Sequence, residues 1–170
     1  MSATNMIHSV VFNTNEIMRM LDHMPLGIFV LDSCYRVLFW NKCLQYWTSV
    51  TEDRIIGRDI REHYPLFKEK RFASRIASIF QGGPPIIFSS YIHKYIIPAP
   101  LPNNTMRLQH TTVSPLRRED GCILGMFTIQ DVTEVNTRLI QQKKAEEELR
   151  NILGAIEETN KKLEASNRLA

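Results

Sequence analysis

No apolar run in the 170-residue chain comes near the roughly 20 residues that a membrane-spanning helix requires. The N-terminus also lacks a basic segment followed by an apolar stretch, so no secretion signal is expected. Cysteine is scarce. Cys34, Cys43 and Cys122 lie far apart, with no C-x-x-C and no Cys/His spacing of the zinc kind. Free thiols in a reducing cytoplasm are the expected state, and no metal centre is expected. Neither sign of charge dominates: 21 Lys and Arg against 18 Asp and Glu leave a formal +3. The densest basic pair, Lys143-Lys144, runs straight into Glu146–Glu148, so the charge gives no footprint for nucleic acid. Catalytic signatures are missing too. There is no G-x-S-x-G, no phosphate-cradling glycine loop, no H-E-x-x-H and no evident carboxylate pair. Gly82-Gly83 is followed by Pro84-Pro85 and reads as a breaker. Residues 111–170 contain no histidine that could accept a phosphoryl group.

Hydrophobic residues make up 44% of the chain, enough for one globular core plus an appendage. Residues 1–14 have no clear period and read as a leader. Asn15 is placed to cap a short helix carrying Ile17, Met18, Leu21 and Met24, which Pro25 ends. Gly27–Asp32 and Tyr35–Asn41 then read as two strands joined by a short polar link. Leu44, Tyr46 and Trp47 fit a short helix beginning at Asn41. Thr51 caps another turn, which Gly57 stops. Phe67, Phe72, Ile76, Ile79 and Phe80 recur at helical spacing until Gly82. Ile86–Ile97 is β-branched and aromatic. Met106–Leu116 alternates, with Met106, Leu108, His110 and Thr112 on one side. Asp120-Gly121 makes a tight hairpin into a last strand, Cys122–Val132. Strands at both ends around short helices predict an α+β layout with an antiparallel sheet.

From residue 135 to 170 the character changes: no proline, one glycine, and interleaved charges. Glu146–Arg150, Glu157–Lys161 and Glu158–Lys162 are four apart with the acid first, which supports a helix. Leu139, Gln142, Glu146, Leu149, Leu153, Ile156, Asn160 and Leu163 alternate by four and three, as a coiled-coil seam does. Such a helix needs a partner, most simply its own copy.

Particular segments sharpen the layout. Met24–Asp32 (MPLGIFVLD), Phe39-Trp40-Asn41-Lys42, Ile56-Gly57-Arg58-Asp59 and Gly125–Gln130 followed by Asp131-Val132-Thr133-Glu134 together resemble the PAS family over about residues 15–134. The resemblance implies a five-stranded antiparallel sheet with short helices on one face. A carboxylate and a hydroxyl at the D-x-T exit, Asp131 and Thr133, can tie the last strand to the start of the following helix and so couple the two, with a plain helix cap as the alternative. The expected parts are a leader (1–14), a PAS sensory domain (15–134) and a signalling helix (135–170). The closing residues Leu163–Ala170 are similar to linkers that enter histidine kinase or diguanylate cyclase domains.

Some relatives of this kind bind haem through a helical histidine. His63, read as helical, and His93 and His110, read as strand residues, suit surface or satisfied positions better, so haem is disfavoured. Cysteinyl–flavin photochemistry is disfavoured as well: Ile60 stands where that branch carries its reactive cysteine, and Cys43 does not replace it. A small ligand held between sheet and helices remains, with Trp40, Tyr46, Trp47, Phe72, Ile76, Tyr91, Tyr95, His110 and Thr128 as candidate lining. The same aromatics equally suit a plain core. The expected function is a cytoplasmic regulatory domain, not an enzyme. It would detect a small molecule or partner and signal through a homodimeric helix. A dimerisation or docking module that senses nothing is the alternative.

Overall fold

A computed structural model describes residues 13–167. Residues 1–12 of the leader and the tail end at 168–170 lie outside the described residues. The first compact unit ends at Asp131 and the second begins at Val132.

The first unit opens with α1 (Thr14–His23). Its cap is Asn13 and not Asn15, because Asn13 exchanges bonds with Glu16 in a capping box. Strands β1 (Gly27–Leu31) and β2 (Val37–Trp40) form the first hairpin. Short helices α2 (Lys42–Thr48), α3 (Glu52–Ile55) and α4 (Ile60–His63) follow, then a 3₁₀ turn (Pro65–Lys68) and α5 (Lys70–Phe80). Strand β3 (Ile86–Phe88) is much shorter than the expected Ile86–Ile97. Ser89 accepts from Tyr91 N at 3.2 Å and starts a one-turn helix, α6 (Ser90–His93), so His93 is helical and not in a strand. The long hairpin of β4 (Gln109–Arg117) and β5 (Ile123–Asp131) completes the unit. Gly121 at its turn has φ +84°, a conformation that glycine adopts without strain.

The sheet is antiparallel throughout, in the order β2-β1-β5-β4-β3. The first and last strands are neighbours at its centre, from Gly27 opposite Ile129 to Leu31 opposite Gly125. Alternation then puts Phe29, Leu31, Gln109, Thr111, Val113, Phe127 and Ile129 on the face that the helices cover, all of them buried. From the helical side Leu44, Ile55, Ile60, Phe67, Phe72, Ile76 and Ile79 close the core. Phe29 stacks on Phe127 at 4.3 Å, with the Phe67 ring 6.2 Å from Phe29. Each such side chain contributes about 1.5–3 kcal/mol by leaving water.

Asn41 ties the elements together. Fully buried, its Oδ1 accepts from Leu44 N at 3.2 Å, capping α2, and from Ile28 N of β1 at 3.0 Å. Its Nδ2 donates to Leu21 O of α1 at 3.1 Å and to Leu26 O at 2.8 Å. Strand and helix come so close here that a Cβ on Gly27 would sit 2.6 Å from Leu44 Cδ2 and 3.0 Å from Trp47 Cζ3. Gly27→Ala is therefore expected to cost about 1–3 kcal/mol through overpacking. Urea unfolding checks this; a change under about 0.5 kcal/mol would show that α2 moves aside freely.

The second unit is α7 (Thr133–Asn167). Glu134–Arg138 and Glu158–Lys162 pair along it, and Gln142 donates to Glu146 at 2.9 Å. Leu139, Leu149, Leu153 and Ile156 are all exposed, between 39% and 58%. Intrinsic helix propensity supports so long an exposed helix only weakly.

Candidate functional site

The interior between sheet and helices is filled by the rings described above. A cavity of about 240 Å³ lies to one side of it, lined by Tyr64, Pro65 and Leu66 and, facing them, His93, Lys94, Tyr95, Ile96 and Pro98. Pro65 starts the 3₁₀ turn and fixes the first wall. The second wall is the segment between β3 and β4, where Lys94 has φ +58° and ψ −61° and Tyr95 N donates to His93 O at 2.6 Å. That is a γ-turn of the strained positive-φ kind, in a residue that is not glycine. Gln109, 1% exposed, anchors the segment. Its Oε1 accepts from Ile96 N at 3.1 Å and Ile97 N at 3.2 Å, and its Nε2 donates to Ile97 O.

Among the described residues, four buried side-chain polar atoms have no hydrogen-bond partner, and two belong to this cavity's lining residues: Tyr64 Oη and His93 Nδ1. Burial pushes the Tyr64 phenol pKa up, partly offset by the neighbouring Thr48 hydroxyl. Thr48 Oγ1 donates to Leu44 O at 2.7 Å and accepts from Val50 N at 3.2 Å, which leaves it one lone pair for the phenol. The Ser89 carbonyl near His93 is taken, by His93 N at 3.0 Å and Ile92 N at 3.2 Å. A buried polar group left without a partner costs about 1–3 kcal/mol, and both atoms lie beneath the cavity surface and not on it.

The His93 ring meets Phe72 and Phe88 edge-on, at 5.1 Å and 5.2 Å. Burial holds its pKa below the ordinary value, opposed by the Ser89 backbone and reinforced by Arg75 and Arg71. The unfolded chain therefore takes up this proton first. The stability His93 contributes is whole above the ordinary value of about 6.5 and is lost as pH falls through it. Between pH 7 and pH 5 the melting temperature of the wild type should fall more steeply than that of His93→Gln. Parallel curves would show that His93 has no part in it.

The residues singled out from sequence are not all brought together. Tyr95 lines the cavity, Trp40 stacks on Tyr64 at 6.1 Å, and Phe72 backs His93. Ile76 lies in the closed core. Tyr46 and Tyr91 are 82% and 78% exposed and line no interior space. His110 and Thr128 alternate with the buried positions of β4 and β5, so they occupy the sheet face opposite the helices. His63 is exposed. Sequence reasoning missed Tyr64, Lys94 and Gln109 altogether and set His93 aside.

Trp47 belongs to a second cluster, at the end of β5. The Arg107 guanidinium lies over its ring at 5.1 Å and pairs with Asp131. Cys43 sits beside this pair, its thiol pKa raised chiefly by burial, with Arg107 opposing and Asp131 adding. Asp131 is thus fixed at the last residue of the sheet, two residues before α7 begins. No group of three or more His, Cys, Asp or Glu side chains among the described residues could hold a metal ion. No described helix is long and apolar enough to cross a membrane.

Similarity to known proteins converges on one fold. The sensory box sensor histidine kinase from Vibrio cholerae is 17% identical, with 69% of this chain and 89% of that one covered and a TM-score of 0.52. A PAS domain from Colwellia psychrerythraea is 15% identical over 71% and 97% of the two chains, with a TM-score of 0.53. An RNA-binding light-oxygen-voltage receptor is 17% identical over 86% of this chain and 40% of that one, with a TM-score of 0.58. Identities this low establish the fold and nothing finer. No curated protein matches the chain significantly. The family model described as PAS fold matches residues 21–137, most of the chain and all five strands, so the protein belongs to the PAS fold family.

Proposed function

We propose that this chain is a sensory and regulatory domain that receives a small molecule in the cavity between Tyr64–Leu66 and His93–Ile96. The observation that carries the reading is the largely apolar cavity itself, walled by Tyr64–Leu66 on one side and the strained turn at Lys94 on the other. Residues 15–134 form the receiving part and residues 135–170 the transmitting part. Asp131, held by Arg107, and Thr133, at the start of α7, are the coupling residues. Two copies of α7 pair along Leu139, Leu149, Leu153 and Ile156 and lead to an output domain of the histidine kinase or diguanylate cyclase kind, in the cytoplasm. Likeness to the Vibrio cholerae sensor histidine kinase supports the kinase option. Signalling requires that the ligand bind two states of the domain with different affinity, since equal binding shifts no population.

A thermal-shift screen of small molecules tests the receiving part. A ligand present at 100 times its Kd should stabilise the fold by about 2.7 kcal/mol. Light scattering on the eluting chain tests the transmitting part, with a dimer expected. The ring-filled interior favours a second reading, a docking module with no ligand. A dimer that responds to no compound would select it.

A further inference from the structure

We infer that α7 pairs in parallel with a second copy of this chain through either of two overlapping seams; this deepens the transmitting half of the reading above and rests on it. Gln142, Leu149 and Ile156 recur every seven residues and belong to both seams. The first seam adds Leu139, Glu146, Leu153 and Asn160, in steps of three and four. The second adds Arg138, Ala145, Ile152 and Thr159, each one residue earlier, and its steps of four and three are just as regular. Passing from one seam to the other turns each helix by one heptad position, about 50°, and keeps the shared residues at the interface.

Neither seam wins on burial. Each adds two apolar residues, one uncharged polar residue and one charge to the shared three. Ile152 and Leu153 are a near-equal exchange, and neither is covered within the chain, at 57% and 52% exposure. The first seam gains Leu139 over Ala145 but sets Glu146 against its own copy in the middle of the rod. The second has Ala145 there and carries its charge, Arg138, near the start of α7, where Glu134 pairs with it. Thr159 suits a covered position, because its hydroxyl already donates to Ala155 O at 2.8 Å, whereas Asn160 needs the amide of its copy. Parallel order sets Gln142 against Gln142 in both seams, and an amide both donates and accepts. A rod with two seams of similar burial is the bistable element that a population shift requires.

The test is disulfide crosslinking of the full chain with one introduced cysteine at a time, in a background of Cys34→Ser, Cys43→Ala and Cys122→Ser. Leu149→Cys and Ile156→Cys should crosslink strongly, and Ile152→Cys and Leu153→Cys to extents within about threefold of each other. Asn151→Cys, which faces away from both seams, should not crosslink. Adding Ala145→Leu should favour Ile152→Cys, and adding Glu146→Leu should favour Leu153→Cys, each by roughly tenfold. A benzophenone side chain at the same five positions of the otherwise native chain gives the same reading if the cysteine-free background folds poorly. Crosslinking at one of 152 and 153 on the order of tenfold above the other, unmoved by Ala145→Leu or Glu146→Leu, would overturn the two seams and leave the paired helix standing. Crosslinking at 151 equal to that at 149 would mean contact without a seam and overturn the proposal. No crosslink at either 149 or 156 would overturn the parallel pairing itself.

Discussion

Asn41→Ala is expected to destabilise the protein by about 4 kcal/mol. Four backbone groups lose their partner at once: Ile28 N, Leu44 N, Leu21 O and Leu26 O. They belong to three different elements and the approach to β1, and the fully buried site gives water little access. An N-cap alone is worth only about 1 kcal/mol, so the size of the loss separates a cap from a hub. Asn41→Asp sharpens the test. It keeps both accepted bonds but sets a carboxylate against two carbonyls, so it should be no better than alanine. Urea unfolding of the three proteins measures this, and a loss near 1 kcal/mol for alanine would reduce Asn41 to a helix cap.

Gln109→Leu is expected to cost about 3 kcal/mol and, with it, the cavity's second wall. Leucine keeps the bulk inside the core but strips Ile96 N, Ile97 N and Ile97 O of their partner. Two further ties remain, Gln109 N to Lys94 O at 2.7 Å and Arg107 N to Ala99 O at 3.0 Å, so the segment should loosen and not detach. Amide exchange at Ile96 and Ile97 should speed up far more than in β4 and β5, and any compound that stabilises the wild type should lose its effect. Unchanged exchange at these two amides would mean that the turn holds itself.

Much of this arrangement was legible in the residues, and the gaps have physical causes. Phe39-Trp40-Asn41-Lys42 correctly places a helix start at Asn41, but the other three bonds of that side chain reach elements up to 20 residues away, which no local pattern reveals. Asn13-x-x-Glu16 is a capping-box signature; choosing Asn15 passed over the glutamate three residues on. For β4, alternation yields two faces without saying which is inside. Naming His110 as candidate lining chose the outer one, because the buried face carries Gln109 and Thr111 as well as Val113. Gln109 is inside because the 89–108 segment folds over it and needs its amide, a tertiary demand. In α2, Tyr46 and Trp47 differ by 100° around the helix, and only packing against Gly27 decides that Trp47 turns inward. The cavity was invisible for a similar reason: its walls are some 30 residues apart in sequence, and it hinges on a positive φ at Lys94, where nothing in the residue type announces it.

The reading as a whole turns on a small molecule occupying that cavity. A crystal structure of the chain grown with the compound that raises the melting temperature most is the direct measurement. Ligand density between Tyr64–Leu66 and His93–Ile96 is the expected result. Density on the outer sheet face beside His110 and Thr128, with the cavity holding only water, would contradict it.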